Sequence, residues 1–392
     1  MSKFDVVIVG GAMSGATLAL ALNEKSHNRL KIAVVEASDG AGEATSGFDS
    51  RAIALSHGTV ELFKSFSLWS TLYDVATPIK TIHVSDRGHL GRTTISSQEE
   101  QLPALGYVVE LHAVGLRLEQ KLAQAENITL LRPDRVSKIE PRLEDSLVEL
   151  QSGSVLEAKL LVAADGTHSS CCEMLKLRNQ VRDFSQMALI ANIALQQPHG
   201  GQAFERFTST GPLALLPMSE QRMSLVWCLP AEQAARLRVE DEAQFLHELQ
   251  NAFGWRLGKF IRVGQRASYP LALHQRESVT SHRFAVIGNA AQTLHPIAGQ
   301  GFNLGIRDIA SLVDEAVCDI EKIGDYAMLK RYSERRAKDR SATASLTTGL
   351  VDLFSNDWLT TRVVRNLGLI AANTQSDLKR PLIHRTLGKV AR

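Results

Sequence analysis

Val6-Val7-Ile8-Val9-Gly10-Gly11-Ala12-Met13-Ser14-Gly15, continued by Ala16-Thr17-Leu18-Ala19-Leu20-Ala21-Leu22, decides the fold. An apolar run of strand length enters a glycine turn, and the turn opens an apolar helix. After a short polar loop comes Ile32-Ala33-Val34-Val35-Glu36. This is a βαβ unit, whose two strands should pair in parallel through a right-handed crossover. Gly10 and Gly11 make the turn, with Gly10 permitting its tightness. The small Ala12 lets backbone approach a pyrophosphate, and Gly15 lets the helix pack close to the strand. The helix N-terminus adds free N–H groups and about half a positive charge. A glycine turn alone is a weak signal, and here alanine stands at the second glycine position. A structural turn in another βα unit would look the same. Glu36 separates the two readings, because a carboxylate at the end of the second strand can accept hydrogen bonds from adenosine ribose hydroxyls. Such a charge-assisted bond is worth roughly 1.5–3 kcal/mol. The same charge repels a 2′-phosphate, so the expected dinucleotide is FAD or NAD rather than NADP.

Two later blocks follow strands in the same way. Leu160-Leu161-Val162-Ala163-Ala164 leads into Asp165-Gly166-Thr167-His168-Ser169, which by itself reads as a turn. Phe284-Ala285-Val286-Ile287 leads into the most specific block, Gly288-Asn289 through Thr293-Leu294-His295-Pro296-Ile297-Ala298-Gly299-Gln300-Gly301-Phe302-Asn303 to Asp308. Its glycine-rich turn opens a helix. Gly299 and Gly301 let backbone N–H groups face an anionic or electron-rich ligand without interference from a Cβ. Such a site can stabilise negative charge on a reduced flavin ring.

The rest of the chain bounds the answer. Its 392 residues are 44% apolar and 22% charged, the composition of an ordinary globular protein. The 44 basic and 42 acidic residues nearly cancel, which gives no reason to expect a nucleic-acid partner. Four cysteines, two adjacent at Cys171 and Cys172, form no CxxC pair, disulfide framework or metal site, and fit a reducing compartment. There is no signal-peptide pattern and no apolar run long enough to span a bilayer, so a cytoplasmic protein is expected, with peripheral contact at the inner membrane left open.

These three blocks, in this order, resemble the flavoprotein aromatic hydroxylases of the p-hydroxybenzoate hydroxylase fold. His295 to Gly305 is similar to the ubiquinone-biosynthesis hydroxylases within that group. So are Phe48-Asp49-Ser50-Arg51-Ala52-Ile53-Ala54-Leu55, Val84-Ser85-Asp86-Arg87-Gly88, Phe204-Glu205-Arg206-Phe207 and Gly211 to Pro217. The likeness covers essentially the whole chain. It implies an FAD-dependent monooxygenase that uses NAD(P)H and O2 to hydroxylate a polyprenylated phenol, 2-polyprenyl-6-methoxyphenol, in ubiquinone biosynthesis. Hydroxylation of another ring position in that pathway, prenyl reduction, and a non-catalytic FAD-holding subunit of a biosynthetic complex are the alternatives. A halogenase is rejected, because Val226-Trp227-Cys228-Leu229-Pro230 lacks the first tryptophan of the expected WxWxIP segment.

By resemblance, Gly10, Gly11, Ala12 and Gly15 cradle the FAD pyrophosphate, Glu36 holds the ribose, and Arg51 reaches the flavin side. Asp165 and Gly166 serve FAD and the nicotinamide donor. Gly288, Asn289, Gly299, Gln300, Gly301 and Asn303 line the ribityl chain and ring. His295 and Pro296 face the substrate, with His295 a candidate to assist phenol deprotonation. Two positions depart from the pattern: Asn289 replaces an aspartate, and Cys172 replaces an arginine expected to dock the nicotinamide donor. No metal is expected.

The implied architecture is α/β. A Rossmann-like FAD-binding domain (1–75, 100–178 and 268–345) carries an inserted mixed, largely antiparallel substrate domain (76–99 and 179–267) and a helical C-terminal segment (346–392). In that segment Leu353, Phe354, Trp358, Val363, Val364, Leu367 and Leu369 are candidates to handle an apolar tail. Lys379, Arg380, Arg385, Lys389 and Arg392 are candidates to touch anionic lipid. An ordinary packed helix with a solvated basic tail, or a surface for a partner protein, explains the same residues.

Overall fold

The first sheet of the computed structural model, which describes residues 2–40, 49–87, 91–354, 380 and 383–390, is built on Ser2–Val9. This strand pairs in parallel with Ile32–Val35 on one side and Val155–Ala163 on the other, with Val6 opposite Ile32 and Leu160. Phe284–Val286 and Ile128–Leu131 extend the sheet in parallel at its two flanks. Val6 to Val9 are buried, and so are all four residues of Ile32–Val35. That is why these strands read as unbroken apolar runs rather than alternating ones.

The crossover helix, Met13–Lys25, buries every residue from Gly15 to Leu22. It sits between the sheet and two other helices, Leu111–Gln124 and Gln300–Cys318, so no face is left for polar residues. Leu111–Gln124 lies at the surface and buries only Val114, Leu118 and Leu122, a single stripe at helical spacing.

A second, largely antiparallel sheet is organised by the long strand Asn179–Leu195. Arg222–Leu229 and Ala267–Arg276 flank it, both antiparallel. Gln202–Thr208 pairs antiparallel with Gly211–Pro217 and parallel with Thr81–Asp86. One face is covered by the helices Ala231–Val239 and Glu242–Phe253, which close an apolar core around Phe245, Leu249 and Trp227.

Two sheet memberships differ from the expected domain limits. Ala76–Ile79 pairs with Gly106–Glu110, beside Ala52–Ser56, in a small third sheet rather than with the substrate strands. Ala267–Arg276, which mostly falls in the expected cofactor domain, belongs to the second sheet along its whole length. That sheet ends on Gln292–Thr293, paired with His274 and Gln275, so the glycine-rich block is stitched to both large sheets.

The helical region after that block divides into Gln300–Cys318 and Tyr326–Phe354. Gly324 makes the break at φ +82°, where an added Cβ would stand 2.1 Å from the Lys159 carbonyl oxygen. Of the C-terminal candidates, Trp358, Val363, Val364, Leu367, Leu369, Lys379 and Arg392 lie outside the described residues, as do Phe48 and Gly88. Residues 383–390 form a docked turn rather than a loose tail. Ile383 and Leu387 are buried against Ile79, Leu105, Val108, Ala203 and Met218. Arg385 is half-buried, 3.6 Å from Asp339. Arg380 and Lys389 are exposed. Among the described residues no helix is long and apolar enough to cross a membrane.

Candidate functional site

The carboxyl ends of Ser2–Val9, Ile32–Val35, Val155–Ala163 and Phe284–Val286 lie side by side, and each runs into a turn. Ligands of open parallel sheets bind in the crevice beyond such ends. Gly10 sits at φ +98°, and a Cβ there would stand 2.6 Å from the Ala164 carbonyl oxygen, so the first two turns press together. At Gly15 a Cβ would meet the Gly10 carbonyl oxygen at 1.8 Å, which fixes how closely the helix approaches the strand. The backbone N–H of Gly11 donates to Glu36 Oε2 at 2.6 Å. Glu36 Oε1 accepts from the Ser38 N–H and hydroxyl at 2.9 and 2.8 Å. Glu36 is therefore held in place by the turn it was expected to serve. Ala12 caps the helix without a side-chain acceptor, which leaves the first-turn N–H groups free for an anion.

A cleft of about 1060 Å³ opens here. It is at the upper end of the roughly 300–1,000 Å³ of ordinary ligand pockets, so it suits a large ligand. Gly10, Ala12, Glu36, Asp165, Gly166, Gly288, Asn289 and Gly301 all line it, which brings together three blocks far apart in sequence. A Cβ on Gly166 or Gly301 would meet nothing within 4 Å, so both present bare backbone to the opening. Asp165 Oδ2 accepts from the Ser170 hydroxyl and the Cys171 N–H, whereas its Oδ1 is buried with no partner among the described residues. A buried carboxylate oxygen left unpaired is costly, and a hydroxyl-bearing ligand in the cleft would satisfy it. These features fit FAD: glycine turns that admit a pyrophosphate, a carboxylate at the ribose end and an orphaned acceptor for a hydroxyl.

Sequence reasoning missed several lining residues. Asp134, Arg135, Val136 and Ser137 form the wall near Glu36. The Asp134 N–H donates to the Glu36 carbonyl oxygen at 2.8 Å, a contact with no local sequence signal. Met13, Ser14 and Phe302, inside the glycine motifs, also line the cleft.

Other expected residues are placed elsewhere. Arg51 is exposed, with its guanidinium 5.7 Å from the centre of the Tyr269 ring on the second sheet. Gly299, at φ +59°, caps the helix Gln300–Cys318. Gln300 is buried and donates to the Thr386 carbonyl oxygen. Asn303 is consumed by the fold. Its Oδ1 accepts from the Ser56 N–H and the Thr59 hydroxyl, and its Nδ2 donates to the Ala54 and Gly299 carbonyls. Its side chain braces the helix against Ala52–Ser56.

His295 is held by its own loop and by the second sheet. Its Nδ1 accepts from the Ile297 N–H, so the ring proton sits on Nε2, which donates to Gln186 Oε1 at 3.4 Å. Burial pushes its pKa down to about 4, and Phe184 packs edge-on against the ring. In this arrangement the imidazole is neutral and its lone pair is engaged by its own loop. Pro296 opens the short turn Ile297–Gly299, and its carbonyl accepts from the Gly299 N–H at 3.0 Å. Cys172 points into the core, and burial raises its thiol pKa. The nearby cation is Arg276 from the second sheet, which is buried and donates to the Leu177 and Ala290 carbonyls.

Known proteins share this arrangement. The chain matches the FAD binding domain family over residues 3–345. It is 33% identical over 388 residues to the ubiquinone hydroxylase UbiL of Rhodospirillum rubrum, an alignment covering 98% of this chain and 89% of that one. It is 30% identical over 390 residues to the 3-demethoxyubiquinol 3-hydroxylase of Escherichia coli, covering 98% of each. Among solved structures, p-nitrophenol 4-monooxygenase PnpA of Pseudomonas putida superposes with a TM-score of 0.81 at 18% identity, over 99% of both chains. The FAD complex of a Klebsiella pneumoniae HpxO variant superposes at 0.76 and 17% identity, over 99% of this chain and 98% of that one.

Proposed function

The chain belongs to the FAD binding domain family and is an FAD-dependent monooxygenase, and from that premise we propose that it hydroxylates a 2-polyprenyl-6-methoxyphenol in ubiquinone biosynthesis. The observation that carries this reading is the cleft at the strand ends, with its bare glycine backbone and the unpaired Asp165 Oδ1. The first turn of Met13–Lys25 would take the pyrophosphate of FAD, and Glu36 the adenosine ribose. Asp165 and Asn289 would meet hydroxyls of the linking chain. When bound, FAD supplies the redox chemistry: two electrons come from NAD(P)H, one atom of O2 enters the ring, and the other leaves as water.

The chain's own contribution is placement and exclusion of water. Ile297 of the cofactor loop packs with Phe207, Val351, Val84 and Phe184 between the second sheet and the helix Tyr326–Phe354. An apolar junction beside the cofactor loop suits a ring that carries a prenyl tail. His295 serves as a fixed neutral support that ties this loop to Gln186. Gln186 sits where the Asn179–Leu195 ladder shifts register, and its Nε2 donates to the Thr210 carbonyl. A phenol is activated para to its hydroxyl, which is the position that the methoxyphenol assignment asks for.

The E. coli relative favours a second reading, in which the substrate is a demethoxyubiquinol. One experiment separates the two. Purified protein is given NADH or NADPH and ¹⁸O2 with a short-tailed 2-prenyl-6-methoxyphenol or a short-tailed demethoxyubiquinol. The expected result is a labelled hydroxyl on the methoxyphenol, with stimulated NAD(P)H consumption. Labelling of the demethoxyubiquinol alone would move the assignment to the second reading. NAD(P)H oxidation with no labelled organic product from either would refute both.

A further inference from the structure

The loop Gly288–Gln292 presents Gly288 and Asn289 to the cleft, and on its other side it is gripped by a buried cluster of charges. Asp308 Oδ2 accepts from the Gly288 N–H at 3.3 Å and from Gln292 Nε2 at 2.7 Å. Asp308 Oδ1 accepts from Arg336 Nε at 2.7 Å, and both side chains are 0% exposed. Arg340 holds the far end of the loop. Its Nε donates to Gln292 Oε1, and its Nη2 donates to the Ala291 and Arg276 carbonyls. Backbone groups at 288 and 291 and the side chain at 292 are thus all fixed from behind, either by the helix Tyr326–Phe354 or through Asp308.

Stability does not account for this cluster. A buried ion pair loses most of its Coulomb attraction to desolvation and is weak evidence of stabilisation. What interlocking buried hydrogen bonds do provide is one defined geometry. Gly288 needs one, because it sits at φ +59° with its missing Cβ 2.9 Å from the Ser14 hydroxyl, beside the first glycine turn.

We propose that Arg336 and Arg340 are positioning residues for the cofactor, acting through Asp308 and Gln292 to hold the Gly288–Asn289 backbone in the shape that FAD binds. The proposal rests on the reading that FAD occupies the cleft. The structure also contains a control. Arg307 pairs with Asp339 at 2.8 Å and joins the same two helices; Asp339 also pairs with Arg336 at 2.8 Å, but the Arg307 side chain bonds to Asp339 and Thr343 and not to the loop.

The test compares Arg336→Met, Arg340→Met and Arg307→Met as apoproteins. FAD affinity is read from quenching of flavin fluorescence, hydrogen exchange from the peptide spanning 288–294, and Tm from melting without FAD. Arg336→Met and Arg340→Met should weaken FAD binding about tenfold or more and speed exchange in that peptide. Arg307→Met should lower Tm by a similar amount and change FAD affinity less than about twofold, since Asp339 keeps its pair with Arg336 and no bond to the loop is lost. If Arg336→Met does not fold, the pair Arg336→Met with Asp308→Asn replaces it. That pair removes the carboxylate charge that Arg336→Met would strand and keeps an oxygen for the Gly288 N–H, but it lacks the Arg336 brace, so FAD affinity should still be weakened about tenfold, and wild-type affinity in it would overturn the role of Arg336. Equal loss of affinity in Arg307→Met and Arg340→Met, or no loss in either, overturns the proposal while wild-type apoprotein still binds FAD. Wild-type apoprotein that does not bind FAD overturns the cofactor reading beneath it.

Discussion

At the scale of single residues, the glycines divide into those the fold needs and those a ligand needs. Gly15 belongs to the first group, because a Cβ there would overlap the Gly10 carbonyl. Gly301 belongs to the second, because a Cβ there meets only the open cleft. Gly15→Ala should therefore lower Tm or prevent folding. Gly301→Ala should leave the apoprotein's Tm within a degree or two, or raise it slightly by stiffening the unfolded chain, while weakening FAD. Melting curves and flavin titration of the two variants check this; equal Tm loss in both would count against the division. Glu36 is a mixed case. Glu36→Ala removes a ribose acceptor and also the partner of the Gly11 N–H, so FAD affinity should fall about tenfold or more, from a charge-assisted bond of ~1.5–3 kcal/mol. Unchanged flavin affinity would remove Glu36 from the site. These roles were legible because each follows from a local rule: a turn, a close approach or a carboxylate at a strand end. Asn303 shows the limit of such rules. It lies inside a motif that signals flavin, and only the fold reveals that all its hydrogen bonds go to Ala52–Ser56, Thr59 and its own helix cap.

At the scale of elements, the loop around His295 has a measurable pH signature. The imidazole is buried, and its pKa falls from the usual 6.5 to about 4. The folded state binds this proton less readily than the unfolded one, so His295 costs nothing above pH 6.5 and destabilises progressively as pH falls from 6.5 toward 4. The full difference is of order 3 kcal/mol. His295→Gln keeps a hydrogen-bonding side chain without the titration, so its Tm should fall less between pH 7 and pH 5 than the wild type's. A base must be deprotonated to act, so a base of pKa about 4 would give no limb above pH 5, and any rise of rate with pH in that range should persist in His295→Gln. A limb lost with that substitution would restore His295 as a base. The βαβ unit was readable as an element because strand, glycine turn and helix are contiguous and their periods differ. Sheet membership was not. Ala76–Ile79 and Ala267–Arg276 join their sheets through partners far along the chain, and a strand's own sequence does not name its partner. The arginines of Tyr326–Phe354 were illegible for the same reason, since a basic stretch at helical spacing ordinarily marks a solvated face.

At the scale of the whole molecule, the cofactor cleft sits where the two large sheets and the long helices meet, and the last described turn closes that junction. Leu387 is buried with Ile79 and Val108 of the small sheet, Ala203 of the second sheet, and Leu105 and Met218. Its carbonyl accepts from the Gly58 N–H at 2.7 Å, and the neighbouring Thr386 carbonyl accepts from Gln300 at the start of the cofactor-loop helix. Truncating Leu387 to alanine should cost about 2–4 kcal/mol through lost burial and the cavity left behind. A purely local defect would lower Tm with and without FAD by the same amount. The turn touches Gln300, however, so its loosening should also reduce FAD affinity and shrink the Tm rise that FAD produces. That rise is set by RT ln(1 + [L]/Kd), about 2.7 kcal/mol when FAD is present at a hundred times its Kd. At fixed FAD, a tenfold weaker Kd would remove about half of it. Melting of wild type and Leu387→Ala, each with and without excess FAD, separates the outcomes. Parallel shifts would confine the turn to packing, and a reduced FAD increment would show that the end of the chain helps to shape the site its beginning forms.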